Sequence, residues 1–208
     1  MKVIGLTGPS GAGKTLFCKF AERCGVPSID ADRIYHDLLV PPSPCLDEIV
    51  AAFGREVLSA NGTLNRAALA ALVFGQSETS RAKLALLNRI THKYVTEKIR
   101  ARLKEEEGRG TPAVLVDAPA LFESEFDKSC DCTVALLATP ETRRKRIMER
   151  DSLSGEKADQ RILAQPSDDF YIQRSDFVIR NTGSEKELSR AVEAFLSQQI
   201  QFFGEAET

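Results

Sequence analysis

Val3-Ile4-Gly5-Leu6-Thr7-Gly8-Pro9-Ser10-Gly11-Ala12-Gly13-Lys14-Thr15 sets a short apolar run directly against a glycine-rich octapeptide. Gly8 to Thr15 matches G-x-x-x-x-G-K-[ST] at every fixed position. The apolar run has the make-up of a buried strand, and a helix is expected from Lys14 to about Cys24. Strand, glycine turn and helix in this order form a phosphate cradle. Backbone N–H groups of the loop can wrap the β- and γ-phosphates of a nucleotide, and glycine admits backbone geometries that a β-carbon would block. The helix N-terminus adds the positive end of its dipole. Lys14 would neutralise the transferring phosphoryl group, and Thr15 is the expected metal residue, its hydroxyl a ligand for Mg²⁺.

Outward from this loop, strands alternate with helices. Val26 to Ile29 is a second short apolar run ending at Asp30-Ala31-Asp32, and Val40-Pro41-Pro42-Ser43-Pro44 breaks any helix. Leu46 to Phe53 reads as a short amphipathic helix, and Asn61-Gly62 is a turn signal. Residues 66 to 107 carry a mostly helical pattern, broken near Gly75-Gln76-Ser77 and stopped by glycines at 108 and 110. Third and fourth strands are expected at Pro112 to Asp117 and Cys132 to Leu137. Thr139-Pro140-Glu141 joins a capping hydroxyl, a first-turn proline and an early carboxylate, a strong helix start. A helix around Glu156 to Ala164, a short strand at Asp176 to Ile179 and an amphipathic helix from Glu185 to about Phe203 complete the pattern. Such alternation implies an α/β fold, with a parallel sheet covered on both faces. The long helical stretch between the second and third strands is an insertion.

At 208 residues there is room for one such domain and a small insertion. No stretch approaches the roughly 20 apolar residues of a membrane helix, and MKVIGLTG lacks the long apolar region of a signal peptide. No membrane association is expected. The formal charge of −2 argues against a general nucleic-acid surface, so an anionic ligand must be held by local positive charge. Five cysteines at 18, 24, 45, 130 and 132 show no paired spacing, which fits thiols in a reducing cytoplasm.

A phosphate cradle specifies a nucleotide and leaves the reaction open. The guanine-reading N-K-x-D is absent, and the size favours a kinase that phosphorylates a hydroxyl of a small molecule. Asp32 follows the second strand, at the edge where open α/β sheets bind ligands. Its carboxylate can accept or orient the proton of an attacking hydroxyl, or cap the following helix, and the two roles are compatible. Asp117 ends the third strand and either holds Mg²⁺ through a water or caps the strand end, with Glu123 in the loop beyond. Arg143, Arg144, Arg146 and Arg150 fit either a lid over ATP or a solvated basic face; Arg146 and Arg150 share one face, and Arg161 is a further candidate. His92 on a helix is by spacing alone more often structural than catalytic.

The blocks GPSGAGKT, VPSIDADRI, NGTLNRAAL, LLNRITHKYV, VLVDAPALFE, ATPETRRKRIMERD, RILAQ and DFVIRNTG run in this order from Gly8 to Gly183, inside a likeness that covers residue 3 to about 196. Order and spacing resemble the dephospho-CoA kinase family, which uses ATP to phosphorylate the ribose 3′-hydroxyl of dephospho-CoA, the last step to CoA. The resemblance implies a three-layer P-loop kinase fold with a helical substrate-binding insertion and a lid. Within a single domain spanning 1–208, it places the core at 1–34, 111–140 and 165–208, the insertion at 35–110 and the lid at 141–164. It implies Asp32 at the 3′-hydroxyl, Gly11, Ala12, Gly13, Lys14, Thr15 and Leu16 as the ATP phosphate cradle, and Arg66 and His92 in the acceptor-binding insertion. Arg146, Arg150 and Arg161 match lid positions, and Asn181 and Gly183 fall where the family loops near adenine. Catalytic roles are thus expected for Asp32, Lys14 and Arg146. Acceptor contacts are expected from Asp32, Arg66, His92, Asp117, Glu123 and Arg161, with ATP and Mg²⁺ as cofactors and a monomer or weak oligomer in the cytoplasm. Another small-molecule kinase, for a nucleoside or sugar, and a non-catalytic nucleotide-dependent regulator are the alternatives. The chain departs from the family at Lys93 (usually Pro), at Ala120 (usually Leu) and over 166–171, which lacks a customary Lys.

Overall fold

Short, almost wholly apolar runs make up the sheet. In the structure, a computed structural model describing residues 1–75 and 77–204, five strands pair in the order β2-β3-β1-β4-β5, every pair parallel. They are β1 (Lys2–Thr7), β2 (Ser28–Asp30), β3 (Ala113–Asp117), β4 (Cys132–Leu137) and β5 (Phe177–Arg180). β4 is buried along its whole length and β3 up to its last residue, as strands covered on both faces must be. The alternation of strand and helix is thus realised as the parallel α/β sheet it implies.

The chain divides into two compact units, one of Met1–Asp30 with Leu103–Thr208 and one of Ala31–Arg102. The first holds the sheet with α1 (Lys14–Arg23), α6 (Pro140–Asp151), α7 (Gly155–Leu163), α8 (Asp168–Arg174) and α9 (Glu185–Gly204). Its core joins Ile4 and Leu6 of β1 to Phe17, Phe20 and Ala21 of α1 and to Leu188, Val192, Phe195 and Leu196 of α9. Phe195 meets Phe17 and Phe177 edge-on, with ring centroids 6.4 and 5.3 Å apart. Register aligns the carboxyl ends of the strands: Leu6 opposes Asp117, Asp30 opposes Asp117, Thr7 opposes Ala135 and Leu137 opposes Arg180. Ligands of open α/β sheets bind at this edge.

The second unit comprises α2 (Ala31–Asp37), α3 (Pro44–Phe53), α4 (Arg66–Val73) and the greater part of α5 (Glu78–Gly108). Ser43 and Asn65 cap α3 and α4, accepting from the N–H groups of Leu46 and Ala68. Leu38, Leu39, Ile49, Phe53, Val57, Leu69, Val73, Leu87 and Ile90 form its core. The expected turn at Asn61-Gly62 is closed by an antiparallel bridge between Leu58 and Leu64. Gln76, at the expected break in the 66–107 helical stretch, lies outside the described residues.

Several elements differ from expectation. β2 begins at Ser28, because the Val26 N–H bonds back to the Ala21 carbonyl and closes the end of α1. β5 begins at Phe177, because the Asp176 carboxylate instead accepts from the Thr133 N–H and hydroxyl, each at 2.7 Å. Residues 168–174, where no helix was expected, form α8. Among the described residues no helix is long and apolar enough to cross a membrane.

Candidate active site

The loop between β1 and α1 takes its shape from glycine where the backbone requires it. At Gly8, φ is +138°, and a β-carbon would lie 2.2 Å from the Leu136 carbonyl oxygen. At Gly13, φ is +103°, and a β-carbon would lie 2.5 Å from Asn181 Nδ2. Gly13 also stands at the N-cap of α1 without a side-chain cap, so the first-turn N–H groups present the positive end of the helix to the loop. Lys14 Nζ donates to the Gly8 carbonyl at 2.9 Å, folding its charge over the loop. Thr15 follows with its side chain exposed, while Leu16 is half-buried against the core.

Three consecutive loop carbonyls are held from outside. The Ser10 carbonyl accepts from Arg143 Nε at 3.0 Å and the Gly11 carbonyl from Arg146 Nη1 at 3.2 Å. The Ala12 carbonyl accepts from Arg146 Nη1 at 3.1 Å and Asn181 Nδ2 at 2.8 Å. The Ser10 N–H donates to Gln165 Oε1 at 3.1 Å. In a trans peptide the carbonyl of one residue and the N–H of the next point opposite ways. Carbonyls turned toward these donors therefore turn the Gly11 and Gly13 N–H groups away from them, the orientation a phosphate needs.

Arg150 lies on the same side. Its Nη2 donates to the Ser10 hydroxyl at 3.2 Å, and its fork grips Asp151 at 2.8 and 2.9 Å. Asp151 also accepts from Arg161 of α7. The Arg150 hydrogen bonds, reinforced by both guanidinium charges, hold the Asp151 carboxyl down at about 2. The other two members of the basic run face outward, Arg144 to Asp159 and Lys145 toward Glu149.

Asp117 and Asp30 end neighbouring strands in register, so two carboxylates stand side by side at the sheet edge. Asp117 Oδ2 lies 3.8 Å from Cys18 Sγ, and burial, then the Asp117 charge, pushes that thiol far up. Hard oxygen donors of this kind, with the Thr15 hydroxyl, suit Mg²⁺, which binds through few protein ligands plus phosphates and water. Among the described residues no group of three or more His, Cys, Asp or Glu could by itself hold a metal. Glu123 is exposed in the turn after β3. Its charge, after burial, raises the phenol of Tyr171 on α8. Asn181 is buried directly after β5, and Gly183 is exposed just before α9.

The remaining expected residues belong to the second unit. Asp32 is exposed in the first turn of α2, as its second residue rather than its cap. Arg66 opens α4 and brings Nη2 to 3.0 Å from His36 Nδ1 of α2. Burial raises the Tyr35 phenol, and the charges of Arg66 and Asp32 oppose each other on it. His92 is half-buried on α5. The departure at Lys93 donates to Glu48 of α3 at 3.1 Å, and the Tyr94 hydroxyl reaches the same oxygen at 2.7 Å, which together hold that carboxyl below its usual range.

The structure thus gathers Gly11, Ala12, Gly13, Lys14, Arg146, Arg150 and Asn181 around one loop, and reaches Arg161 through Asp151. Sequence reasoning missed Gln165, His36 and the difference between Arg143, which is buried under the loop, and its exposed neighbours. Gln165 closes the R-I-L-A-Q block, but nothing local marks its partner.

The family model described as dephospho-CoA kinase matches residues 2–187. A Listeria monocytogenes dephospho-CoA kinase is 38% identical over 197 residues, covering 95% of this chain and 96% of its own. One from Corynebacterium diphtheriae is 38% identical over 190 residues, covering 91% and 93%. The solved dephospho-CoA kinase of Campylobacter jejuni is similar over 96% of this chain and 98% of its own, at 27% identity and a TM-score of 0.67.

Proposed function

Because the chain belongs to the dephospho-CoA kinase family, we propose that the Gly8–Thr15 loop holds ATP while Asp32 receives the ribose 3′-hydroxyl of dephospho-CoA. The protein is an ATP-dependent kinase that converts dephospho-CoA to CoA and ADP, the final step of CoA formation. The site assignments are our reading. The observation that carries them is the loop whose carbonyls are tied outward at Ser10, Gly11 and Ala12, beside a lysine folded over its mouth.

In the transfer, the 3′-oxygen forms a bond to the γ-phosphorus as the bond from that phosphorus to the β–γ bridging oxygen breaks. ADP departs with that electron pair, and the hydroxyl proton passes to the Asp32 carboxylate. Loop N–H groups and Lys14 take up charge on the phosphoryl oxygens. Arg146 and Arg150, already at the loop, add positive charge on the same side, and Asn181 and Gly183 line the approach to adenine. Leu16 seats the first turn of α1 in the core. Thr15, with Asp117 through water, would hold Mg²⁺, which would supply charge neutralisation for the transferring phosphoryl group. Arg66 and His92 in the 35–110 insertion, with Glu123 and Arg161, are proposed for the acceptor, and 141–164 for the lid. A cytoplasmic monomer or weak oligomer that binds no nucleic acid completes the reading.

Release of ADP, followed in a coupled assay with dephospho-CoA, nucleosides and sugars as acceptors, tests it. Turnover is expected with dephospho-CoA; turnover only with another hydroxyl acceptor would overturn the acceptor assignment.

A further inference from the structure

Arg143, Gln165 and the backbone N–H and carbonyl of Ser10 close a ring of hydrogen bonds. Gln165 Oε1 accepts from the Ser10 N–H at 3.1 Å and from Arg143 Nη2 at 2.7 Å, while Arg143 Nε returns to the Ser10 carbonyl at 3.0 Å. Arg143 is 4% exposed, and its Nη1 lies 4.0 Å from Asp168 at the start of α8. A buried guanidinium persists where its planar fork is matched by acceptors, and here the acceptors are the loop and the residue that closes it. Gln165 sits between α7 and α8, so the ring ties the loop to the end of the proposed lid.

The ring fixes both polar groups of a residue that the loop motif leaves unspecified. Release of the Ser10 carbonyl would free the Ser10–Gly11 peptide to rotate, and the Gly11 N–H would turn with it. We propose that Arg143 and Gln165 are positioning residues for phosphoryl transfer: Arg143 holds the Ser10–Gly11 peptide by its carbonyl, and Gln165 steadies Arg143 and the preceding Pro9–Ser10 peptide, so that the Gly11 N–H faces the nucleotide phosphates. This rests on the reading of the loop as the ATP site.

The test uses the full chain, with ADP binding by titration calorimetry and KM for each substrate. Gln165→Leu removes the shared acceptor at a half-buried position, whereas Gln165→Glu keeps an oxygen for both donors. Loss of a charge-assisted hydrogen bond should weaken ADP binding about tenfold or more in Gln165→Leu and raise the KM for ATP in step. The KM for dephospho-CoA should stay within about twofold, and Gln165→Glu should recover most of the lost affinity. Arg143→Met should weaken ADP binding by a similar factor, and the double variant should be no worse than the worse single one. Should Arg143→Met fail to fold, the two Gln165 variants decide the matter. Wild-type ADP affinity in Gln165→Leu, equal rises in both KM values, or a Gln165→Glu as impaired as Gln165→Leu would overturn the proposal. ADP titration needs no acceptor, so a wild-type protein that binds ADP but ignores dephospho-CoA would sink the acceptor assignment alone.

Discussion

Lys14 shows how far a single residue could be understood before any fold was known. Its place in G-x-x-x-x-G-K-[ST] implies a phosphate contact, and its Nζ hangs over the loop, 2.9 Å from the Gly8 carbonyl. Lys14→Ala is expected to abolish measurable turnover in the coupled assay. Asp32→Asn should lower kcat by 10²-fold or more while leaving ATP affinity within about threefold, since general-base groups contribute roughly 10²–10⁴; near-normal kcat would remove Asp32 from the chemistry. Asn181 and Gln165 were less legible. They meet the loop across 169 and 155 residues of chain, and no local pattern encodes so distant a partner. Arg143 was visible only as one of a basic run; its burial comes from packing under Ser10. Asp151 carries the pH dependence at this scale. Its folded value of about 2 lies below the ordinary carboxylate value of about 4. Its contribution to stability is therefore complete above about pH 4 and is lost as pH falls through about 2. The difference in urea midpoint between wild type and Asp151→Asn should be constant above pH 4 and shrink toward pH 2.

Elements were legible where their signals were local. The Thr139-Pro140-Glu141 start gives α6, with the Thr139 hydroxyl accepting from the Thr142 N–H at 3.3 Å. The glycine loop gives the turn from β1 to α1. By contrast α8, seven residues long, is too short to show a helical period, and Tyr171 is buried in it by the fold around it. Strand ends shifted by a residue or two because side chains such as Asp176 compete for the ladder's hydrogen bonds. Glycine substitutions probe the loop as an element. Gly13→Ala should lose nucleotide affinity in an ADP titration, because both its φ of +103° and the Asn181 amide oppose a methyl group. Gly8→Ala should instead lower thermal stability by about 1–3 kcal/mol or more, because the methyl group meets the β4 backbone.

For the molecule as a whole, alternating strands and helices already implied a parallel α/β sheet, whereas the order β2-β3-β1-β4-β5 is set by long-range pairing that no local pattern carries. That order centres β1 and so places the phosphate loop at the middle of the sheet edge. Phe195 on α9, against Phe17 and Phe177, joins the last helix to the first. Phe195→Ala should cost about 3–5 kcal/mol in chemical denaturation. KM values below the unfolding transition should stay unchanged, because the ring supports the core and not the cradle. Acceptor identity is the property least legible from local chemistry, and it came from the order of motif blocks and from family membership. The most direct test is the steady-state rate of ADP release with ATP and dephospho-CoA, with the product checked for a 3′-phosphate. Stoichiometric formation of ADP and CoA, absent in Lys14→Ala, is the expected result; ADP formation without 3′-phosphorylated product, or only with a different acceptor, would contradict the account.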